Sequence, residues 1–221
     1  MKSKIQDPIP KTIRILIVDD HAIVLRGVEH VLRAGFTSVE FGEAQTVCEA
    51  LQYIRKEDWD LVILDIGMPG RSGLEVLQEA RQIRPKLPVL VLSGHTEDQY
   101  AVRVLKAGAA GYMTKDSASD ELVQAVKKVI AGGKYVSSSL AEKLAFDLEA
   151  DSEQSLHDKL SDREYEVLRW IAQGKTITEI GKDLSLSPKT ISTYRTRILE
   201  KMRMKNNMEL MQYAIMQGIV E

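Results

Sequence analysis

The stretch Asp60-Leu61-Val62-Ile63-Leu64-Asp65-Ile66-Gly67-Met68-Pro69-Gly70 constrains this chain more than any other. Leu61 to Leu64 is a continuous run of branched apolar residues, the pattern of a strand buried on both faces in a parallel sheet. The run stops at an acid, and two glycines with a proline then turn the chain. Open α/β sheets place their chemistry at the C-terminal ends of their strands. Asp65 is therefore the candidate functional centre of the region around it.

The same grammar repeats on either side. Ile13 to Val18 reads as a strand ending in Asp19-Asp20, followed by a helical pattern from His21 to Leu32 that stops near Gly35. Ser38 to Ala44 is a second strand. Thr46 with Glu49 has capping-box spacing and opens a helix to about Lys56. After the Asp60–Asp65 strand, Ser72 with Glu75 opens a helix that ends before Pro85. Pro88 to Ser93 is a fourth strand, Thr96 opens a helix that stops at Gly108, and Gly111 to Thr114 is a short fifth strand ending at Lys115. Ser119 to Ala131 is a last helix, closed by Gly132-Gly133. Strands alternating with helices predict a doubly wound, five-stranded parallel α/β domain over residues 12–132.

Beyond it the pattern changes. Ser139 to Glu149 has the spacing of one amphipathic helix, and Ala150 to Asp158 is polar with no apolar periodicity. Residues 133–158 thus read as a linker helix and a flexible tether. Residues 159–221 show no strand signal but many helix starts. Ser161 with Glu164, Thr176 with Glu179 and Asn206 with Glu209 have capping-box spacing or its Asn variant, and Ser187-Pro188 puts a capping serine before a proline. Gly174 and Gly218 end the first and last of four helices. The second and third are joined by a short turn around Leu184 to Ser187, a helix-turn-helix pattern.

Composition narrows the function classes. Residues 159–221 carry 11 Lys+Arg against 8 Asp+Glu, and the remainder carries 19 against 24. A basic module on an acidic one fits a nucleic-acid partner. The single cysteine, Cys48, excludes an internal disulfide and a cysteine zinc site, and fits a reducing cytoplasm. No apolar run approaches a membrane span and no signal peptide precedes the first strand, so a membrane partner is not expected. Met1 to Lys11, with Pro8 and Pro10, reads as a loose arm.

Asp19, Asp20 and Asp65 fall at the C-terminal ends of strands that a right-handed doubly wound sheet brings side by side. Three like charges that close need a proton or a cation. The donors are all oxygens, so a hard cation such as Mg²⁺ fits better than zinc. Ser93 adds a hydroxyl and Lys115 a cation. Together they describe a site that handles phosphoryl groups, with a carboxylate able to accept one as an acyl phosphate.

Residues 13–131 resemble the receiver domain of bacterial two-component response regulators. The marks are Val-Asp-Asp at 18–20, Leu-Asp-Ile-Gly-Met-Pro-Gly-Arg-Ser-Gly at 64–73, Leu-Ser-Gly at 92–94 and Gly-Tyr-Met-Thr-Lys at 111–115. The resemblance implies that Asp65 takes a phosphoryl group from a sensor histidine kinase. It implies that Asp20 and Asp65 bind Mg²⁺ directly with the Gly67 carbonyl, and Asp19 through water. Ser93 and Lys115 would hold phosphoryl oxygens, and Tyr112 would swing inward when Ser93 moves. Gly67 and His95 stand where the family varies, beside the path of attacking water.

The helix from Pro188 to about Arg203 divides by angle. Ile191, Tyr194, Ile198 and Met202 share one side, with Leu199 at its edge. Lys189, Ser192, Thr193, Thr196 and Glu200 share the other. Polar side chains there can reach base edges, with Thr190 beside them, while Lys189, Arg197, Lys201 and Lys205 are placed for phosphates. Arg195 falls toward the packed side, where an ion pair to an acid of the first helix, such as Glu166, competes with DNA contact. Leu160 to Gly218 resembles the LuxR/FixJ-type (NarL-type) helix-turn-helix, through Leu-Ser-Asp-Arg-Glu, Val-Leu-Arg-Trp-Ile-Ala-Gln-Gly, Glu-Ile-Gly, Leu-Ser-Pro-Lys-Thr-Ile-Ser-Thr-Tyr and Ile-Leu-Glu-Lys-Met. Gly181 replaces the alanine usual there, which would loosen its helix slightly.

The expectation is a cytoplasmic transcriptional regulator, not an enzyme, that binds DNA under control of phosphate on Asp65. It would form a homodimer on phosphorylation and bind an inverted repeat. The unphosphorylated chain would be mostly monomeric, with the receiver partly occluding the recognition helix. Two rivals fit parts of the pattern. A magnesium phosphatase with an aspartate nucleophile wants a second acid where Gly67 stands. A DNA-binding regulator set by a ligand or partner, independent of phosphate, would have no need of the complete Asp19, Asp20, Asp65, Ser93 and Lys115 set.

Overall fold

The computed structural model describes residues 12–68, 73–94, 99–138, 140–142 and 155–220. Its first part is one parallel sheet of β1 (Ile13–Val18), β2 (Val39–Ala44), β3 (Leu61–Asp65), β4 (Val89–Ser93) and β5 (Gly111–Thr114), in the order β2-β1-β3-β4-β5. The helices between and after them are α1 (Ala22–Gly35), α2 (Val47–Lys56), α3 (Gly73–Ile83), α4 (Gln99–Lys106) and α5 (Ala118–Ile130). The doubly wound class expected from the sequence is the one observed.

Alternation along the strands builds two cores. Ile15, Ile17, Leu61, Ile63, Leu90 and Leu92 face α1 and α5, where Leu25, Leu32, Leu122 and Val126 meet them. Leu16, Val18, Val62, Leu64, Val89 and Val91 belong to the opposite core, with α2, α3 and α4. Every β3 side chain is buried, as its unbroken apolar run demands. α3 starts hard against the loop after β3. A Cβ on Gly73 would lie 2.3 Å from the Ile66 Cα, so only glycine permits this approach.

Some local expectations change. Thr46 caps α2 by accepting from the Glu49 amide, but the Glu49 carboxylate turns to the amide of Gln45, so the reciprocal box is incomplete. α5 begins at Ala118, one residue early. The Ser72 and Thr96 caps, the Met1–Lys11 arm and most of the expected linker helix and tether lie outside the described residues. The end of the expected tether, together with Lys159, instead forms a 3₁₀ turn, Leu156–Lys159. His157 within it is buried, and its Nδ1 lies 2.8 Å from the Tyr213 hydroxyl. That long-range contact is invisible to periodicity.

The output domain has four helices: α6 (Asp162–Ala172), α7 (Ile177–Asp183), α8 (Pro188–Met202) and α9 (Asn207–Met216). Ser161 and Thr176 form complete capping boxes with Glu164 and Glu179. Ser187 accepts from the Thr190 amide, and Asn206 from the Glu209 amide. Leu168, Ile171, Ile180, Ile191, Ile198 and Leu210 form the core. Gly181 has a packing role that its helix propensity does not report. A Cβ there would sit 2.7 Å from the Leu186 carbonyl oxygen, and the Leu186 amide donates back to the Gly181 carbonyl at 2.7 Å. Glycine lets the turn between α7 and α8 close inward. Among the described residues, no helix is long and apolar enough to cross a membrane.

Candidate phosphoacceptor site and nucleic-acid interface

β1 and β3 pair with Val18 opposite Leu64. The next residue on each side is an acid, which brings Asp19 beside Asp65, both almost fully buried. From the end of β5, Lys115 reaches between them. Its Nζ lies 2.6 Å from Asp19 Oδ2 and 2.8 Å from Asp65 Oδ2. The Gly67 amide donates to Asp65 Oδ1 at 2.8 Å, so both oxygens of that carboxylate are held. A side chain at position 67 would begin 3.4 Å from Asp65 Oδ1, so glycine keeps the approach to that oxygen open. Burial pulls the Lys115 ammonium toward neutrality, but its close approach to the Asp19 and Asp65 carboxylates outweighs this and the net direction is upward. It therefore stays charged at neutral pH and offsets two carboxylates.

The acidic cluster suits a divalent cation. Asp19, Asp20, His21 and Asp65 each offer a ligand atom within 4.8 Å of the others. Asp19 Oδ2 and Asp20 Oδ1 are buried at ion-pair distance from Lys115 and His21, yet neither receives a well-directed hydrogen bond. Carboxylate oxygens in that condition are what a hard cation satisfies. His21 was missing from the expected set. Its amide donates to Asp19 Oδ1 at 2.8 Å, and only its place directly after the acid pair could have flagged it.

Ser93 ends β4 and is fully buried, and its carbonyl accepts the Lys115 amide at 2.7 Å. This ties the hydroxyl-bearing strand end to the lysine. Tyr112 on β5 is already fully buried, so the inward swing expected of it has no outward starting point here. His95 lies outside the described residues.

On α8 the angular reading holds. Ile191, Ile198 and Met202 are buried, while Lys189, Ser192, Thr193, Thr196, Arg197 and Lys201 are exposed and Thr190 is half-buried. In this structure the receiver leaves that face open, where partial occlusion was expected. The Thr193 and Thr196 hydroxyls donate to the Lys189 and Ser192 carbonyls, both at 3.0 Å. Their remaining offerings are acceptor lone pairs and methyl groups, which suit base amino groups and the thymine methyl. The Thr190 hydroxyl sits 2.8 Å from that of Ser187 and belongs to the helix cap.

Two basic residues have internal partners. Arg195 Nε donates to Asn207 Oδ1 at 2.6 Å, whereas Glu166 pairs with Arg163, so the expected Arg195–Glu166 pair is replaced. Lys201 Nζ lies 2.6 Å from the buried Glu164 carboxylate. Burial raises the pKa of Glu164, but Lys201 and the Ser161 amide overcome it and hold the carboxyl below its usual value. α9 leaves Met208, Ile215 and Met216 exposed by 78%, 54% and 76%, a patch that the sequence reading did not single out.

Comparison with known proteins agrees with this division. Residues 15–127 match the response regulator receiver domain, and residues 158–214 match the bacterial regulatory proteins of the luxR family. The response regulator UvrY of Escherichia coli strain K12 is 34% identical over 208 residues, covering 94% of this chain and 95% of that protein. The response regulator GacA of Pseudomonas aeruginosa is 36% identical over 210 residues, covering 95% and 98%. Among solved structures, RcsB of Salmonella enterica serovar Typhimurium bound to the rprA promoter with the phosphomimetic BeF3⁻ has a TM-score of 0.62 at 28% identity, covering 92% of this chain and 98% of that one. A structure of two RcsB dimers bound to two parallel DNAs has a TM-score of 0.57 at 28% identity, covering 92% and 98%. With a receiver that gathers its acids at one sheet end and a helix-turn-helix that exposes its polar face, the chain belongs to the two-component response regulators of the NarL/FixJ type, whose output is a LuxR-type DNA-binding domain.

Proposed function

We propose that Asp65 is the phosphoacceptor through which a sensor histidine kinase controls DNA binding by this protein. The observation that carries the reading is the double hold on the Asp65 carboxylate, by Lys115 Nζ at 2.8 Å and the Gly67 amide at 2.8 Å, beside buried Asp19. The carboxylate oxygen would attack phosphorus as the P–N bond to the donor imidazole breaks, and that ring, carrying a proton on its other nitrogen, leaves as neutral imidazole. The amide and the ammonium orient the carboxylate, and Lys115 with the Ser93 hydroxyl receives the added phosphoryl oxygens. Asp19, Asp20 and Asp65, with the Gly67 carbonyl, would hold Mg²⁺, which when bound offsets charge on the phosphoryl oxygens.

In this reading the receiver would span 12–132, the linker and tether 133–158, and the DNA-binding domain 159–221. Ser192, Thr193 and Thr196 would read bases, with Thr190 acting through the cap that sets the entry of α8. Lys189 and Arg197 would hold phosphates, and Lys201 would do so only after leaving Glu164. One such module reads a short half-site, so a homodimer on an inverted repeat supplies useful specificity. The exposed Met208, Ile215 and Met216 of α9 offer an apolar surface for a second copy. A DNA partner and a lone cysteine both fit a protein that works in the cytoplasm.

The test is phosphorylation with acetyl phosphate and Mg²⁺. One acid-stable, hydroxylamine-labile phosphoryl group is expected, and it should be absent from Asp65→Ala. Label that persists in the variant moves the acceptor elsewhere. No label in the wild type leaves a regulator set by something other than phosphate.

A further inference from the structure

His21 stands at the edge of the acidic cluster, and its place in the chain does not call for an imidazole. It is the N-cap residue of α1, a position that Ser, Thr, Asp and Asn fill best, and its ring makes no cap hydrogen bond. The turn aims the ring at the acids instead. The His21 amide donates to Asp19 Oδ1 at 2.8 Å, which fixes the backbone beside that carboxylate. Nδ1 then lies 3.2 Å from Asp19 Oδ1 and 3.0 Å from Asp20 Oδ1.

A hydrogen bond accounts for only half of this. Nδ1 can share a proton with Asp19 Oδ1, but Asp20 Oδ1 is buried and receives no hydrogen bond although Nδ1 is 3.0 Å away. Those two atoms are close without being aligned as donor and acceptor. Atoms bonded to one octahedral ion at about 2.1 Å sit about 3.0 Å apart when adjacent and about 4.2 Å apart when opposite. Both separations from Nδ1 match the adjacent spacing. The donor atoms of Asp19, Asp20, His21 and Asp65 all lie within 4.8 Å of one another, so small shifts bring them onto one ion. Lys115 takes Asp19 through Oδ2, so ammonium and imidazole divide that carboxylate and do not compete for one oxygen.

We infer that His21 Nδ1 is a further side-chain ligand of this site and shifts its preference from Mg²⁺ toward a first-row transition dication, Mn²⁺ above all. The inference rests on the reading of Asp19, Asp20 and Asp65 as the metal holders. Three carboxylates suit Mg²⁺ and Mn²⁺ alike. An imidazole nitrogen adds affinity for a transition dication, and adds little for Mg²⁺, a hard ion that keeps oxygen ligands. The ligating nitrogen must be free of its proton. The His21 side chain is 65% exposed, so the neutral ring carries that proton on Nε2, away from the acids, and presents the Nδ1 lone pair to them. His21 thereby sets which ion the acids hold, and the ratio of the two metals becomes an input to the receiver.

The test uses the full chain with Mn²⁺ as the probe, followed by electron paramagnetic resonance. The free Mn²⁺ signal gives its affinity, displacement of Mn²⁺ gives that of Mg²⁺, and pulsed spectra of the bound ion report directly bonded nitrogen. The variant is His21→Asn, because asparagine caps a helix well and keeps the start of α1 while offering oxygen in place of the ring nitrogen. Wild type should show histidine nitrogen on bound Mn²⁺, with the coupling altered when histidine alone carries heavy nitrogen. His21→Asn should lose that coupling, and its preference for Mn²⁺ over Mg²⁺ should fall roughly tenfold. Bound Mn²⁺ without nitrogen coupling in the wild type, coupling that persists in His21→Asn, or an unmoved preference each overturns the role of His21. A wild type that binds neither ion is a different failure, and removes the metal reading of Asp19, Asp20 and Asp65 along with the inference.

Discussion

The C-terminal end of the receiver sheet and the outward face of α8 both carry polar side chains with a task, but under opposite physical conditions. Asp19, Asp65 and Ser93 are buried, and each is held by another member of the set or by the backbone beside it. On α8, Ser192, Thr193, Thr196 and Arg197 stand exposed on a helix whose opposite side is locked into the core. A buried, mutually bonded set acts as a unit, and removing one member strands the others. An exposed row on a rigid support acts member by member. The receiver end should therefore respond to mutation all at once, and the helix by degrees.

The largest expected effect is at the receiver. Asp65→Ala should abolish phosphorylation, and adding Lys115→Ala should make it no worse, because residues that work as a unit are not additive. Phosphate incorporation measures both, and residual label in the single variant, lost in the double, breaks the comparison. Gly73→Ala comes next. Its methyl would strike the Ile66 backbone, with a cost in stability of about 1–3 kcal/mol and a displaced Gly67 loop. Thermal unfolding and phosphorylation rate should fall together.

On α8 the effects should be smaller and separable. Ser192→Ala and Thr196→Ala should each change base preference by roughly 1–3 kcal/mol at one position. Together they should add within about 0.5 kcal/mol in a binding selection. Lys189→Ala and Arg197→Ala should weaken binding to all sequences and flatten its salt dependence by about one unit per lost phosphate contact. A strongly non-additive Ser192–Thr196 pair would make the helix resemble the receiver site after all.

The smallest effect concerns acid. Glu164 is held below its usual carboxyl value, near 4.5, by Lys201 and Ser161 against the opposing pull of burial. A depressed carboxyl pKa stabilises the fold above about pH 4.5 and loses that contribution as the pH falls through the depressed value. Glu164→Gln should flatten the output domain's melting temperature against pH in that window, as followed by near-ultraviolet circular dichroism.

The sequence made the receiver legible because its signals are local. An apolar run that ends in an acid reports both burial and position, and the rightward winding rule puts β1 beside β3 without further help. The α8 face was equally readable from 100° spacing. What stayed hidden depends on pairs distant in the chain. Arg195 chooses Asn207 over Glu166, Lys201 meets Glu164, and His157 meets Tyr213. No periodicity encodes such partners. The packing role of Gly181 stayed hidden for the same reason, since helix propensity says nothing of the Leu186 carbonyl that fills the space beside it.

The central claim is that phosphate on Asp65 sets the affinity for DNA. The direct measurement selects an operator from random sequence, then titrates it with the full chain, with and without acetyl phosphate and Mg²⁺, for wild type and Asp65→Asn. The account expects the phosphodonor to tighten binding and raise dimer mass for the wild type alone. A wild-type affinity unmoved by the phosphodonor, or moved equally in Asp65→Asn, would contradict it.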